Sequence, residues 1–195
     1  MPKVIDLFPG LGADAARFCR EHPDPALLLE PHGEGRSAVD TPSLPQSTIV
    51  APTETVGAGS TSVLGPLEAA RQLAQLHVAV HPDARVEWLT KSDRNPFGAL
   101  ITVGRARNND LVIAHATVSK VHVIFTKAGQ HWQVSDERSS NGTFLNGVRL
   151  AQGEKRAISP GDLLRLGPDI VGRFFDAESL FDFLALARKQ AVKAR

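Results

Sequence analysis

The sequence predicts an all-β domain over about residues 83–175, a sandwich or barrel. A C-terminal helix follows it, and a partly helical, linker-containing extension precedes it. Three observations carry this. From Arg85 onward, short runs of four to six residues alternate or are wholly apolar. Clusters of Gly, Asn, Asp and Ser separate those runs at short spacing, which is how strands joined by tight turns read. After Asp176 the apolar period changes from two to that of a helix.

The elements follow in order. Residues 1–30 form a small N-terminal element. Asp14 is placed to cap a short helix carrying Ala15, Phe18 and Cys19, which ends before Pro23. Ala26 to Leu29 is a short apolar strand. The piece is too small to fold alone and must dock elsewhere. Residues 31–64 scatter four prolines among Ser, Thr and Gly with few large apolar side chains. Such a segment cannot bury enough surface to offset its ordering entropy, so it is expected to be a flexible linker. Glu34, Asp40 and Glu54 against Arg36 give it a charge of −3 + 1 = −2. Residues 65–82 are a helix and its connection: Pro66 suits a first helical position, and Leu67, Ala70, Leu73, Ala74 and His77 share one face. Strands are expected at Arg85–Leu89, Leu100–Val103, His122–Phe125, His131–Val134, Leu163–Leu166 and Ile170–Phe175. Residues 176–195 are the closing helix, with Asp176 as N-cap. Leu180, Phe181, Leu184, Ala187 and Ala191 form its apolar stripe, and Arg188, Lys189 and Lys193 lie toward its C-terminus, where cations are favoured. The stripe is expected to pack on the chain's own domain.

Composition excludes several classes. The chain has 195 residues and a formal charge of +1, with 22 Lys and Arg against 21 Asp and Glu. That balance gives no argument for a nucleic-acid partner. Cys19 is the one cysteine, so neither an internal disulfide nor a cysteine-based zinc site is available. No apolar run reaches the roughly 18 residues of a membrane span, and the N-terminus is a poor signal peptide. A cytoplasmic protein with no membrane partner is the expectation.

Chemistry is expected in three polar loops. The first runs from Gly104 and Arg105 to Asp110. The second runs from Thr117 through Ser119 and Lys120 to His122. The third runs from Asp136 through Ser140, Asn141 and Gly142 to Asn146 and Gly147. Across residues 101–127, Arg105, Arg107, Lys120 and Lys127 against Asp110 give 4 − 1 = +3, leaving −2 for the rest. An Arg pairs with two phosphate oxygens at once, and a Lys adds a mobile point charge. A phosphothreonine carries about −1.5 to −2 charge, and an Asn amide can both give and take a hydrogen bond along a peptide backbone.

The ordered set Gly104-Arg105, Ser119 with His122 three residues on, and Asn141-Gly142 followed by Asn146-Gly147 resembles the forkhead-associated (FHA) domain over about residues 85–175. The segment from Ile158 to Asp162 and the strand to Leu166 resemble its penultimate turn and strand. The resemblance implies a two-sheet β-sandwich with a phosphothreonine-peptide site on the loops at one end. By position, Arg105, Ser119, Lys120 and Ser140 would bind phosphate, and Asn141 would hold the peptide main chain. Thr117 would lie where neighbouring residues of the peptide are selected. Gly104, His122, Gly142, Asn146 and Gly147 would shape the loops. It also implies a preference for phosphothreonine over phosphoserine, a non-catalytic adaptor role in Ser/Thr-kinase signalling, and as partners a phosphothreonine-containing protein and a Ser/Thr kinase or its substrate. A phosphate-independent structural adaptor is the alternative.

Other chemistries fare poorly. Ser119, His122 and Asp136 could be imagined as a triad, but no G-x-S-x-G elbow surrounds the serine. Seven histidines show no paired metal spacing, and Gly57-Ala-Gly59 neither follows a strand nor opens a helix; no metal or cofactor is expected. Trp88 and Trp132 sit on alternating strand patterns and read as core residues. Thr53 and Thr55, in the acidic linker, are candidate regulatory phosphosites whose modification would add charge to a segment tethered to a basic pocket. A plain spacer is the simpler expectation.

Overall fold

The computed structural model describes residues 2–9, 11–12, 14–31, 81 and 83–193. Most of the expected linker, the helix expected at 66–77, Thr53 and Thr55 lie outside the described residues.

Eleven strands are described: β1 (Ala26–Leu29), β2 (Arg85–Trp88), β3 (Leu100–Gly104), β4 (Leu111–Val112), β5 (Val123–Ala128), β6 (His131–Asp136), β7 (Thr143–Leu145), β8 (Val148–Arg149), β9 (Lys155–Ile158), β10 (Leu163–Leu166) and β11 (Ile170–Phe175). They form a six-stranded sheet in the order β2-β1-β11-β10-β7-β8 and a five-stranded sheet in the order β4-β3-β5-β6-β9. The β3–β4 pair is parallel; the other pairs are antiparallel. The fold is a two-sheet β-sandwich with a C-terminal helix, α3 (Ala177–Lys193), and two short N-terminal helices, α1 (Val4–Leu7) and α2 (Ala15–Glu21).

Alternation builds the main core. Val103, Val123, Phe125 and Val134 from one sheet meet Leu145, Leu164, Leu166, Ile170 and Phe174 from the other. Phe125 and Phe174 stack across the gap with ring centroids 6.0 Å apart. A second apolar cluster lies on the outer face of the six-stranded sheet. There Phe18, Val86 and Phe175 meet Leu180, Phe181 and Leu184 of α3. The terminal helix therefore docks on its own chain. Arg188 has a further contact: its guanidinium donates to the carbonyls of Phe8 and Leu11, tying α3 to the N-terminal turn.

β1 shows why its sequence is continuously apolar rather than alternating. Leu27 and Leu29 face the sandwich core, while Ala26 and Leu28 face the helices, so both faces are buried. It is paired on both sides, Leu27 opposite Phe174 of β11 and Glu87 of β2. The sandwich thus takes an internal strand from the N-terminal element and is not confined to residues 83–175. The expected caps are in place: Asp14 accepts from the amide of Arg17 at 3.1 Å and Asp176 from that of Ser179 at 2.8 Å. Each such cap is worth about 1 kcal/mol.

Candidate functional site

The first loop leaves β3 at Gly104, which lies against the backbone of the second loop. A Cβ there would collide with the Lys120 carbonyl and crowd Val121. Only a glycine permits this approach. It allows two main-chain bonds between the loops, from the Arg105 amide to the Ser119 carbonyl at 2.8 Å and from the Ala106 amide to the Lys120 carbonyl at 3.0 Å. The Arg105 side chain is exposed. Its Nε donates to the Val118 carbonyl at 3.1 Å. That fixes the direction of the guanidinium and leaves Nη1 and Nη2, a forked pair of donors, without a partner among the described residues.

The second loop is organised by His122, which is fully buried. Its Nδ1 accepts from the Ser119 amide at 3.0 Å. Its Nε2 stands 3.2 Å from the Gly142 carbonyl. Because Nδ1 accepts, the ring proton is on Nε2 and donates to that carbonyl. Burial depresses the ring's pKa, since removing charge from water disfavours the imidazolium. One neutral ring thus joins the second loop to the third.

The third loop is held from both sides. Ser140 donates its amide to the Ser119 hydroxyl oxygen at 3.0 Å, so the Ser119 proton is left to donate outward. Asn141 Nδ2 donates to the Thr117 carbonyl at 2.8 Å. One amide N–H and the amide oxygen then remain for another backbone. The Thr117 hydroxyl lies 2.7 Å from His115 Nδ1. Ser140, Asn141 and Lys120 are exposed. Asn146 and Gly147 form the two-residue turn between β7 and β8, with φ of 50° and 82°. Two positive φ values define the mirror-image turn whose twist suits a hairpin. Asn146 also donates to Asp162 and accepts from the Leu163 amide, both at 2.8 Å. The three loops therefore meet, with Arg105, Ser119, Ser140, Asn141 and Thr117 linked through one set of bonds.

Two buried carboxylates that sequence reasoning did not assign stiffen these loops. Asp110 accepts from the amides of Ser92 at 2.7 Å and Thr102 at 2.8 Å, and also from Asn95 Nδ2. Lys91 Nζ stands 3.3 Å away. Burial alone would raise its pKa, but these donors outweigh it and hold the carboxyl well below the usual range. Asp136 accepts from the amide of Ser139 at 2.9 Å and from the hydroxyls of Ser139 and Thr143, closing the third loop. Beside them, Asn109 Nδ2 donates to the carbonyls of Ala106 at 2.8 Å and Lys120 at 2.6 Å. The available signal was a run of Asn and Asp after a strand. The imagined triad is not assembled: both His122 nitrogens face main-chain groups, and Asp136 is bonded within its own loop.

Among the described residues, no group of three or more His, Cys, Asp or Glu is placed to hold a metal ion. No described helix is long and apolar enough to cross a membrane.

Residues 101–167 match the model of the FHA domain family. An ABC transporter ATP-binding/permease protein of Mycobacterium tuberculosis is 35% identical over 72 residues, 37% of this chain and 8% of that protein. An FHA domain-containing protein of Arabidopsis thaliana is 35% identical over 71 residues, 36% of this chain and 18% of that one. The chain spans between 8% and 18% of the length of these two relatives. Among solved structures, Mycobacterium tuberculosis EmbR in complex with a low-affinity phosphopeptide is 27% identical, with a TM-score of 0.40 over 47% of this chain and 22% of that one.

Proposed function

We propose, from the premise that this chain carries an FHA domain over residues 101–167, that it recognises phosphothreonine peptides and acts as a non-catalytic adaptor in Ser/Thr-kinase signalling. The family is known for binding such peptides. The observation that carries the proposal is the convergence of unspent donors where the three loops meet. Arg105 keeps its Nη pair, Ser119 keeps its hydroxyl proton, and Asn141 keeps one N–H and its oxygen. Lys120 and Arg107 are exposed on the same two loops and add positive charge. An Nη pair suits two phosphate oxygens, a hydroxyl the third, and the amide the adjoining main chain.

The reading as a binding module is supported by His122, whose nitrogens are both committed to main-chain partners, so that this ring cannot serve Ser119 as a base. Fluorescence polarisation against an oriented peptide library, in phosphothreonine, phosphoserine and unphosphorylated forms, tests the proposal. Selective retention of phosphothreonine peptides is expected. Binding that ignores phosphorylation and survives Arg105→Ala would instead select a phosphate-independent structural adaptor.

A further inference from the structure

Across β10, β7 and β8, Arg165, Phe144 and Arg149 stand in direct register, Arg165 opposite Phe144 and Phe144 opposite Arg149. They lie on the face away from the core, since the flanking Leu145, Leu164 and Leu166 are buried in it. The Arg165 guanidinium sits 3.7 Å from the centre of the Phe144 ring, and that of Arg149 sits 5.9 Å from it. Neither cation forms an ion pair with a carboxylate among the described residues. Two guanidinium groups are thus gathered on one ring, and neither is ion-paired among the described residues.

The ladder adjoins the candidate site through two glycines. Arg165 Nη1 donates to the Gly167 carbonyl at 2.8 Å. Gly167 packs on Asn141 and Thr117, its Cβ position 3.1 Å from the Asn141 Cβ and from the Thr117 carbonyl. Arg149 lies over Gly142, with Nε 2.8 Å from the position a Cβ would occupy. The Gly167 amide donates to the Gly142 carbonyl at 2.9 Å, closing the base. Both cations therefore rest on backbone that touches or adjoins the residue proposed to hold the peptide.

We infer that Arg165 and Arg149, held on the Phe144 ring, select an acidic side chain, Asp or Glu, a few residues from the phosphothreonine on the same peptide. The inference rests on the phosphothreonine reading and adds a sequence preference to it. A stacked guanidinium keeps its edge N–H groups available, and that edge matches a carboxylate. An extended peptide advances about 3.3 Å per residue, so a side chain two to four residues from the phosphate reaches roughly 7–13 Å. Adjacent strands are about 4.8 Å apart, which sets the width of the ladder on the same scale.

The test is a fluorescence polarisation scan with the full chain. One phosphothreonine peptide carries Gln at every position from four before to four after the phosphoresidue, and single Glu substitutions are moved through it. Wild type is expected to favour Glu about three- to fivefold at one position or two adjacent ones, the size of an exposed ion pair. Arg165→Gln and Arg149→Gln should each reduce that preference while leaving affinity for the all-Gln peptide within about twofold. Arg149 is exposed, so its variant carries the test even if Arg165→Gln disturbs the turn at Gly167. A phosphate-dependent wild type with no position-specific preference overturns this inference alone, as does a preference undiminished in both variants. A uniform gain at all positions, the mark of a long-range field, overturns it too. Failure of wild type to discriminate phosphorylated from unphosphorylated peptide overturns the phosphothreonine reading and this inference with it.

Discussion

Ser119 gives its amide hydrogen to His122 and receives one on its hydroxyl oxygen from Ser140, at 3.0 Å in each case. The residue proposed to meet the phosphate is held on two sides by groups that cannot themselves reach solvent-borne ligand through those atoms. Its position depends on a neutral imidazole, because a second ring proton would leave Nδ1 unable to accept.

The ionisation of His122 is therefore a test of the loop geometry. Its folded pKa lies below the ordinary 6.5. The stabilising effect is fully present above that value. It is lost as pH falls through the folded pKa, because the unfolded chain takes up the proton first. Nitrogen–proton correlation spectra of the imidazole rings are expected to show the Nε2–H tautomer at pH 7 and a midpoint below 6.5 for this ring. A midpoint at the ordinary value, or an Nδ1–H tautomer, would contradict the described bonding.

Replacing Arg105 with Ala should weaken phosphothreonine-peptide binding by about one to two decades, from the loss of a charged hydrogen-bond partner worth roughly 1.5–3 kcal/mol. The side chain is exposed, so chemical denaturation should place its stability within about 0.5 kcal/mol of wild type. Unchanged affinity at low salt would remove Arg105 from the site.

Gly104→Ala is expected to destabilise the protein by about 1–3 kcal/mol, since the new methyl meets backbone that cannot rotate away. Gly98 is the control: a Cβ there meets nothing within 4 Å, and its alanine variant should lie within about 0.5 kcal/mol of wild type. Urea unfolding of the two variants side by side distinguishes close approach from a general effect of losing glycine.

Asp110→Asn should cost about 1–3 kcal/mol at neutral pH, because donors that converge on a carboxylate then face an amide. The wild-type carboxyl titrates below its ordinary 3.8. Its contribution is complete above that pH and is lost as pH falls through the folded value. The gap between wild type and variant should narrow below about pH 4 when unfolding is followed across an acid series. A gap that is constant with pH would argue against an ionised buried group.

Much of this architecture was legible in residue patterns. The runs Leu163–Leu166 and Ile170–Phe175 are strands with those same ends, and Asp14 and Asp176 cap where expected. Four strands escaped. β4, β7 and β8 have two or three residues each, too few for alternation to register. β9 is Lys155-Arg-Ala-Ile158, an edge strand with mostly exposed side chains, and edge strands are often charged. That the three loops come together was legible because their residue types and spacing form an ordered set. Asp110 could not, since an aspartate in a loop reads as surface charge until Ser92, Asn95 and Thr102 are seen to converge on it. Arg165 and Arg149 were invisible for the same reason: strand register, not sequence distance, makes them neighbours of Phe144.

The internal placement of β1 also bears on how the chain is made. A ribosome delivers residues 26–29 well before one of the two edges they need, since β11 emerges some 140 residues later. Until then a wholly apolar strand has at most β2 beside it. Pairing across so long a separation is slow and leaves aggregation-prone surface exposed in the interim. β1 therefore cannot complete its pairing before β11 is available. Trimming the chain to residues 101–167, the region that matches the family, would take β2, β1 and β11 together from one end of the six-stranded sheet.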